Sequence, residues 1–382
     1  MEDLKARALA YHAKFKGKIT TLVQSPITNK EDLSLAYTPG VAEVSRAVAV
    51  DKSLAYQYTL KGHTVAVITD GSAVLGLGNI GPEAALPVME GKAALFKTFA
   101  DIDAFPLCLA TQDTQEIIRT VRLLAPVFGG INLEDISAPR CFEIESSLQD
   151  LGIPVMHDDQ HGTAVVVLAG LLNAVKVVGK EMKNLRVIIS GAGAAGVAVT
   201  KLIIDQVKEV IVCDTKGVIY DGRIENMDSS KEALAKITNP NKVRGRLQDA
   251  LRDADVFVGV SAPNLLTAAD CQLMAANSIV FAMANPVPEI MPDEAKKGGV
   301  RVVATGRSDF PNQINNSLAF PGIFKGALSC GAKKITREMK LAAAWALADL
   351  VPEPTFDKII PGPFDPGVVP AISAAVASSN KK

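Results

Sequence analysis

One segment of six residues constrains the fold of this 382-residue chain more than any other. The sequence GAGAAG follows the β-branched run RVIIS and precedes the apolar helical pattern VAVTKLIID. Glycines at this spacing allow a tight turn, a close approach of the backbone to a pyrophosphate, and close packing of the helix on the strand. The unpaired N–H groups at the start of the helix then face the negative phosphates. A turn with only a structural role would use the same glycines.

The strand after the glycine turn favours the dinucleotide interpretation. EVIVCD ends in Asp214, about 20 residues after the turn, where a carboxylate can accept hydrogen bonds from an adenosine ribose. An acid here favours NAD because the 2′-phosphate of NADP would meet a negative charge, although Lys216 lies close enough in sequence to make NADP possible. The pattern predicts that a dinucleotide binds Gly191, Ala192, Gly193, Ala194, Ala195, Gly196 and Asp214.

Strands and helices alternate along the chain, which is typical of a parallel α/β sheet. Before residue 160, the pattern predicts strands at residues 64–69 and in DAFPLCLA, GGINLEDIS and IPVMHDD, and a helix with Asp113 or Thr114 as its N-cap. After it, a long helical segment from Gly162 leads to the glycine turn and to strands in DVFVGVSA, SIVFAMANP and RVVATG. This order predicts an N-terminal α/β domain at residues 1–160 and a Rossmann-type domain with a doubly wound parallel sheet and a helical tail at residues 161–382.

The composition excludes several classes of protein. Hydrophobic residues make up 48% of the chain and the net charge is −1, so neither nucleic acid nor an anionic membrane surface is an expected partner. The five cysteines are scattered without a C-x-x-C pair, which is typical of a reducing compartment. The most apolar stretch, residues 163–178, is interrupted by polar residues and is shorter than a membrane span of about 20 residues. These features predict a cytoplasmic protein.

Two pairs of adjacent carboxylates each follow a predicted strand. Glu134 and Asp135 come after one strand, and Asp158 and Asp159 after the next. Because ligands of open α/β sheets bind beyond the carboxyl ends of the strands, both pairs can face one crevice. Several carboxylate oxygens suit Mg²⁺ or Mn²⁺, but such pairs also cap helices. The string HDDQH is close to the H-E-x-x-H zinc motif; we do not expect a zinc site, because a strand precedes it and Gly162 follows it.

Two further residues are candidates for proton transfer. Tyr37 lies in AYTPG and Lys92 in MEGKAALFK. A lone tyrosine is more often a packed residue and a lone lysine a solvated one. Lys92, however, lies near the start of an apolar-rich helix, where burial lowers the pKa of a lysine towards that of a base.

Several long motifs resemble those of malic enzymes, and especially of the short bacterial form. They are LSLAYTPGVA, DGSAVLGLGNIGPEAALPVMEGKAALFK, INLEDI, HDDQHGTA, GAGAAG, ANPVPEI and FPNQINNSLAFPG, and together they cover nearly the whole chain. The resemblance implies a first domain that binds substrate and metal. It implies Glu134, Asp135 and Asp159 as metal ligands, with Asp158 in support of Lys92. It further implies Lys92 as general base, Tyr37 as general acid, and Asn285 and Asn316 as contacts of malate, with Asn285 also on the nicotinamide side of the cofactor.

The activity that the resemblance implies is the oxidative decarboxylation of (S)-malate to pyruvate and CO₂. It would need NAD, or NADP, together with Mg²⁺ or Mn²⁺, in a homodimer or homotetramer. One position departs from the family pattern: larger relatives carry an arginine for a substrate carboxylate where this chain has Ala73. Three other functions remain open, namely a malolactic enzyme, a metal-dependent oxaloacetate decarboxylase and a dinucleotide sensor without catalysis.

Overall fold

The computed structural model describes residues 2–15, 17–74 and 76–380. Ten strands form two sheets, and sixteen α-helices surround them in this part of the chain. The strands are β1 Thr64–Thr69, β2 Asp103–Cys108, β3 Gly130–Leu133, β4 Val155–His157, β5 Arg186–Ser190, β6 Glu209–Asp214, β7 Gly217–Val218, β8 Val256–Gly259, β9 Ile279–Ala282 and β10 Val302–Thr305. The helices are α1 Glu2–Phe15, α2 Lys30–Ala36, α3 Val41–Val50, α4 Ala55–Tyr58, α5 Pro82–Ala100, α6 Thr114–Leu124, α7 Arg140–Ser147, α8 Asp158–Val178, α9 Ala194–Ile203, α10 Ser229–Ile237, α11 Leu247–Leu251, α12 Ala268–Cys271, α13 Pro292–Lys297, α14 Phe320–Ser329, α15 Arg337–Asp349 and α16 Val368–Ser378.

The first sheet has four parallel strands in the order β2-β1-β3-β4. Its central strand β1 is buried along its whole length, as expected for a parallel strand covered on both faces. The helix α6 begins after Asp113, whose carboxylate accepts a hydrogen bond from the Glu116 N–H at 2.8 Å. Since all four strands run in the same direction, their carboxyl ends meet at one edge of the sheet.

The second sheet has the order β10-β9-β8-β5-β6-β7. The chain moves outward from β5 through β6 to β7 and then returns to build β8, β9 and β10 on the other side. All neighbours are parallel except β7, a two-residue strand antiparallel to β6 that the sequence pattern did not predict. The predicted fold class, α/β with a doubly wound Rossmann-type sheet, is therefore confirmed.

The helix α8 connects the two sheets and begins earlier than the sequence pattern suggests. It starts at Asp158, directly after β4, and runs through Gly162 without a break. The expectation that the helix starts at Gly162 was wrong, because the side chains packed beside this position leave space only for a glycine inside the helix. The boundary expected between residues 160 and 161 falls inside this helix and stays a prediction.

One large hydrophobic core contains residues from both halves of the chain. Val65 and Phe96 come from the first sheet and its helix α5, whereas Val187 and Phe281 come from the second sheet. Rings of Phe96 and Phe320 lie 4.7 Å apart, which joins α5 to the C-terminal helix α14. Among the described helices, α8 alone is long and apolar enough to cross a membrane, and 78% of its most apolar window is buried inside the protein.

Candidate active site

Four acidic residues gather at the carboxyl edge of the first sheet. Glu134 and Asp135 follow β3, and Asp158 and Asp159 follow β4, its neighbour in the sheet. Asp135 has a positive φ of 52°, so the chain turns sharply just after the strand. The expected meeting of the two carboxylate pairs therefore occurs, because adjacent parallel strands end side by side.

Three of these acids are close enough to hold one cation. Oxygens of Glu134, Asp135 and Asp159 all lie within 4.8 Å of one another, and the first two residues are buried. The Asp135 N–H donates to Oδ2 of Asp159 at 2.8 Å, and Asn132 Nδ2 donates to Oε2 of Glu134 at 2.9 Å. A hard divalent cation prefers such oxygen donors. The residues present thus fit Mg²⁺ or Mn²⁺.

Lys92 points from α5 into the same cluster and is only 8% exposed. Its Nζ lies 2.6 Å from Oδ2 of Asp158 and 2.8 Å from Oε1 of Glu134. The Phe320 ring closes the remaining side, with its centroid 4.3 Å from Nζ. A lysine held this firmly between two carboxylates is not a solvated surface residue, so the ordinary interpretation of a lone lysine does not apply here.

The protonation of this cluster depends on its mutual charges. Burial acts to lower the pKa of Lys92, but the carboxylates of Asp158, Glu134 and Asp159 outweigh it and raise that pKa. Burial raises the pKa of each of these three carboxyl groups, while the positive Lys92 opposes the rise. The isolated cluster therefore keeps a proton on Lys92, in contrast to the lowered pKa expected from burial alone.

The first turn of α8 is shaped to bring Asp158 and Asn316 together. A Cβ at Gly162 would lie 1.8 Å from Oδ1 of Asp158 and 3.1 Å from the Cβ of Asn316. Only glycine leaves room for both side chains. Oδ1 of Asp158 is buried and has no hydrogen-bond partner among the described residues. An acceptor without a partner at this depth is suited to a ligand.

Two residues behind this turn, Glu145 and Lys340, were not singled out from the sequence. Glu145 on α7 accepts a hydrogen bond from the His157 N–H at 3.0 Å and lies 2.9 Å from Nε2 of His161. Lys340 on α15 lies 3.1 Å from the other ring nitrogen of His161. His161 thus anchors the first turn of α8 to α7 and α15. The sequence did not predict this contact, because Glu145 lies 16 residues before His161, on the helix α7 that was not predicted.

Two loops border the acids. The Ala73 N–H donates to the carbonyl oxygen of Asp135 at 2.9 Å, so the position that departs from the family pattern lies beside the cluster, with its methyl group exposed. Asn285 follows β9 and is also exposed. A Cβ at Gly76 would lie 2.4 Å from the carbonyl oxygen of Asn285, so this end of the second sheet touches the loop after β1.

Tyr37 is the predicted site residue that the structure does not bring to the others. It ends α2 and is 66% exposed. In the described part of the chain its side chain makes no hydrogen bond, and no ring contact joins it to the Lys92 cluster. The described chain therefore holds the lysine and the acids in one cluster, with Tyr37 on a separate surface.

The glycine turn lies at the switch point of the second sheet, between β5 and β8. Gly191 has a φ of 119°, and its N–H donates to the carbonyl oxygen of Cys213 at the end of β6. A Cβ at Gly196 would lie 1.8 Å from the carbonyl oxygen of Gly191, so helix α9 packs directly on the turn. No heavy atom lies within 4 Å of a Cβ built at Gly193, which leaves this face open for a phosphate.

Asp214 ends β6 as predicted, but its carboxylate is already paired. Arg223 donates to both oxygens, at 2.9 Å for Oδ1, and Lys231 Nζ lies 3.0 Å from Oδ2. Burial tends to raise the pKa of Asp214, yet these partners outweigh it and lower that pKa. Next to it is a cavity of about 490 Å³ whose lining includes four cationic side chains, Lys216, Arg223, Arg244 and Arg246. The negative charge that argued against NADP is thus neutralised.

A glycine turn at a sheet's switch point, followed by an acid on the next strand, is how α/β oxidoreductases hold a nicotinamide dinucleotide. The loop contact between Asn285 and Gly76 brings that sheet next to the buried lysine and its acids. Together they define the class of dinucleotide-dependent α/β oxidoreductases.

Comparisons with known proteins identify the family within this class. Residues 16–149 match the family described as "Malic enzyme, N-terminal domain" and residues 160–378 match "Malic enzyme, NAD binding domain". The "Bifunctional malic/malolactic enzyme" of Bacillus subtilis is 54% identical over 99% of this chain and 93% of its own length. The NAD-dependent malic enzyme of Geobacillus stearothermophilus is 56% identical over 95% and 76%. The NADP-dependent malic enzyme of Rhizobium meliloti is 48% identical over 97% and 51%.

A solved structure agrees with the sequence matches. The NAD-dependent malic enzyme of Thermotoga maritima superposes with a TM-score of 0.94 at 50% identity, over 97% of this chain and 98% of that one. This chain belongs to the malic enzyme family. It is an NAD(P)-dependent oxidoreductase of that family, and the resemblance seen in the sequence motifs is confirmed.

Proposed function

We propose that this enzyme oxidises and decarboxylates (S)-malate to pyruvate and CO₂ with a divalent cation on Glu134, Asp135 and Asp159. The observation that carries the proposal is the position of Lys92, which is buried between Asp158 and Glu134 beside the three-acid cluster. The reaction needs a base for the C2 hydroxyl group and a stabiliser for the negative charge left when CO₂ departs. Lys92 would supply the base, and a cation held by the three acids would supply the stabiliser.

The cation would be Mg²⁺ or Mn²⁺, since all three candidate ligands are carboxylates. When bound there, it supplies Lewis-acid polarisation of the oxygen on C2, and its charge opposes the carboxylates that raise the pKa of Lys92. Among the described residues, Oδ1 of Asp158 has no hydrogen-bond partner. It can therefore accept a hydrogen bond from a molecule bound at the cluster, which supports the assignment of the cluster as a binding site.

The side chains divide the proton transfers between them. Lys92, once neutral, removes the proton of the C2 hydroxyl group as malate gives up hydride from C2 to the nicotinamide. Asp158 and Glu134 hold the Nζ of Lys92 in place for this step. Tyr37 donates a proton to C3 after CO₂ has left, which gives pyruvate. Asn316, next to the first turn of α8, and Asn285, between the two sheets, would orient malate and the nicotinamide.

The cofactor would be NAD, with NADP also accepted. The preference for NAD predicted from Asp214 assumes a free carboxylate, and the pairs with Arg223 and Lys231 remove that condition. The cationic lining of the adjacent cavity suits a 2′-phosphate. Cytoplasmic location and the lack of nucleic-acid or membrane partners stay predictions.

Replacement of Lys92 is the direct test of the catalytic assignment. We expect Lys92→Ala to abolish both malate oxidation and pyruvate reduction in a spectrophotometric assay with Mn²⁺, because the same proton is moved in both directions. Lys97→Ala is the matched control, since Lys97 lies on the same helix but its side chain is 54% exposed and pairs with Asp101. Full activity of the Lys92 variant would refute the base assignment.

Removal of the cation tests the metal assignment separately. We expect a chelator to stop malate oxidation and Mn²⁺ to restore it, while the cofactor still binds by fluorescence titration. Glu134→Gln should weaken the recovery by Mn²⁺, because one of three carboxylate ligands is lost. A chelated enzyme that decarboxylates malate at the normal rate would refute the assignment.

A malolactic activity is the second candidate function. The first relative named above is a bifunctional malic/malolactic enzyme at 54% identity over almost the whole chain. The same cluster would serve if the reduced cofactor stayed bound and pyruvate became lactate. Product analysis decides: lactate without net reduction of the cofactor indicates malolactic turnover, whereas pyruvate with free reduced cofactor indicates the malic enzyme reaction.

A further inference from the structure

Glu289 is an acid in the interior of the second half of the chain. It lies after β9, four residues beyond Asn285, and is 0% exposed. Among the residues that the structure describes, no lysine, arginine or histidine forms an ion pair with it. Burial raises the pKa of Glu289, and hydrogen bonds from backbone N–H groups only partly oppose the rise. The cost of burying this acid is therefore offset by its bonds to the backbone alone.

The carboxyl group of Glu289 joins the loops that follow two adjacent strands. Its Oε1 accepts a hydrogen bond from the Ser261 N–H at 3.1 Å, in the loop after β8. Its Oε2 accepts one from the Ala284 N–H at 3.0 Å, just after β9. Its own carbonyl oxygen accepts a third from the Leu266 N–H at 3.0 Å. One residue thus fixes the carboxyl ends of β8 and β9 relative to each other.

The end of β8 leaves a space that fits this carboxyl group. The last residue of the strand is Gly259, and a Cβ there would lie 2.3 Å from Cδ of Glu289 and 2.5 Å from its Oε1. A larger residue at this position would displace the carboxyl group from the two N–H groups that it accepts from. The sequence therefore supplies both the acid and the space for it.

The loop after β8 lies against the glycine turn. A Cβ at Gly191 would lie 2.7 Å from the carbonyl oxygen of Val260 and 3.1 Å from the Cβ of Ser261. The hydroxyl oxygens of Ser190 and Ser261 are 3.3 Å apart. This loop thus forms one wall of the turn where the pyrophosphate is proposed to bind.

The loop after β9 carries Asn285. The Ala284 N–H that donates to Glu289 belongs to the residue directly before Asn285. A Cβ at Gly306 would lie 2.9 Å from Nδ2 of Asn285, so the loop after β10 borders this side chain. The carboxyl group of Glu289 therefore connects the glycine turn with the residue proposed to orient malate and the nicotinamide.

We propose that Glu289 is a positioning residue, which holds Asn285 at a fixed distance from the glycine turn so that the nicotinamide ring meets C2 of malate. The proposal rests on the role of Asn285 in the proposed function. A displacement of about 1 Å between reacting groups can cost about 10²-fold in rate. The adenosine half of the cofactor would not depend on this link, because it would lie at the glycine turn and the end of β6.

Glu289→Gln tests the link at nearly constant side-chain size, because one of the two N–H groups would then face an amide NH₂ group. We expect kcat for malate oxidation to fall by about 10²-fold. The kinetic isotope effect on kcat/KM with malate deuterated at C2 should rise, since hydride transfer becomes slower. The reduced cofactor should bind more weakly, whereas ADP-ribose, which lacks the nicotinamide, should bind as it does to the wild type.

Glu294→Gln is the matched control for this variant. It makes the same change of charge five residues later, in an exposed pair with Lys297, and should leave all these values unchanged. A purely structural role of Glu289 would lower the melting temperature without a larger isotope effect. An unchanged isotope effect in Glu289→Gln, or an equal loss of affinity for ADP-ribose and the reduced cofactor, would overturn the proposal.

Gly259→Ala tests the same link without a change of charge. Its Cβ would displace the carboxyl group of Glu289, so we expect a slower kcat and a larger isotope effect here too. This variant also decides the question if Glu289→Gln does not fold, which thermal unfolding shows. Wild-type kcat in Gly259→Ala would overturn the proposal.

Asn285→Ala separates a failure of this proposal from a failure of the proposed function. If Glu289 acts through Asn285, the double variant with Glu289→Gln should be about as slow as Asn285→Ala alone. Losses of rate that multiply in the double variant would overturn the proposal, because Glu289 would then act on another group. Full activity of Asn285→Ala by itself would instead refute the role given to Asn285 in the proposed function, and this proposal with it.

Discussion

The charge around Asp214 is the residue-scale feature on which the choice of cofactor depends. A free carboxylate at the end of β6 would repel a 2′-phosphate, but Arg223 and Lys231 pair with this one. Lys216 stands beside it, and its N–H donates to Oδ1 of Asp214 at 2.9 Å. The net charge around Asp214 therefore depends on cations from neighbouring loops and helices. The presence of one acid at the end of a strand does not predict them.

Reversal of the charge at Lys216 should separate the two cofactors. We expect Lys216→Glu to raise the KM for NADP by about tenfold or more and to change the KM for NAD far less, since only NADP carries the 2′-phosphate. Lys208→Glu makes the same charge change on an exposed residue at the opposite end of β6 and should leave both values unchanged. Steady-state kinetics with each cofactor checks this. Equal effects on NAD and NADP would show that the 2′-phosphate does not bind here.

At the same scale, the sequence predicts the acid cluster better than it predicts the protonation of Lys92. Glu134 and Asp159 meet because parallel strands end at one edge, which alternation of strands and helices already implies. The charge on Lys92 depends on distances to Asp158 and Glu134 across α5, β3 and α8, and no sequence spacing contains those distances. Tyr37 shows the same limit, because no sequence spacing predicts that its side chain is 66% exposed and lies apart from Lys92.

At the scale of elements, strands with β-branched runs were predicted with nearly correct bounds. Residues 64–69 form β1, and RVIIS forms β5. The start of α8 was missed, since Gly162 favours a helix boundary by propensity, whereas Asp158 and Asn316 require a glycine inside the helix. Short elements such as β7 and α7 depend on tertiary contacts, so no local periodicity identifies them.

The glycine turn allows stability and cofactor binding to be tested apart. We expect Gly196→Ala to lower the melting temperature and to cost about 1–3 kcal/mol or more, because its Cβ would overlap the carbonyl oxygen of Gly191. Gly193→Ala has free space and an extended backbone, with φ −86° and ψ −163°, so its melting temperature should match the wild type.

In dinucleotide binding, Gly193→Ala should be the impaired variant, although it should be as stable as the wild type. Because Gly193 lies where a pyrophosphate approaches the backbone, we expect its alanine variant to bind dinucleotide more weakly although its fold is intact. Thermal unfolding and fluorescence titration with the reduced cofactor measure the two effects. Normal cofactor affinity in Gly193→Ala would mean that the phosphates pass elsewhere.

At the scale of the whole molecule, the two sheets share one large core, and each sheet also has a smaller core of its own. The sequence predicts two domains because two sets of strands are separated by a long apolar helix. In the structure that helix, α8, is buried on nearly all sides and packs with α9 and α15. Asn173 on α8 donates to the carbonyl oxygens of Ala348 and Ile359, which ties it to the C-terminal part of the chain. The hydrophobic periodicity of α8 could not predict this packing, because a helix with apolar residues on all sides has no single buried face.

A shared core predicts that both sheets unfold together. Phe324 on α14 is fully buried and its ring lies 5.5 Å from that of Phe96 on α5, so it joins the C-terminal helices to the first sheet. We expect Phe324→Ala to lower the free energy of unfolding by about 3–5 kcal/mol, because a large cavity is left in a packed interior. Phe364→Ala is the control, since Phe364 is 83% exposed and should cost little.

The cooperativity of that transition shows whether the shared core couples the unfolding of the two sheets. Urea unfolding followed by circular dichroism and by the fluorescence of Trp345 should give coincident curves for the wild type and the Phe324 variant, both shifted together by the substitution. Trp345 reports on α15, whereas circular dichroism averages over both sheets. Two separate transitions, with only the later part of the chain affected by Phe324→Ala, would show that each sheet is stable without the other.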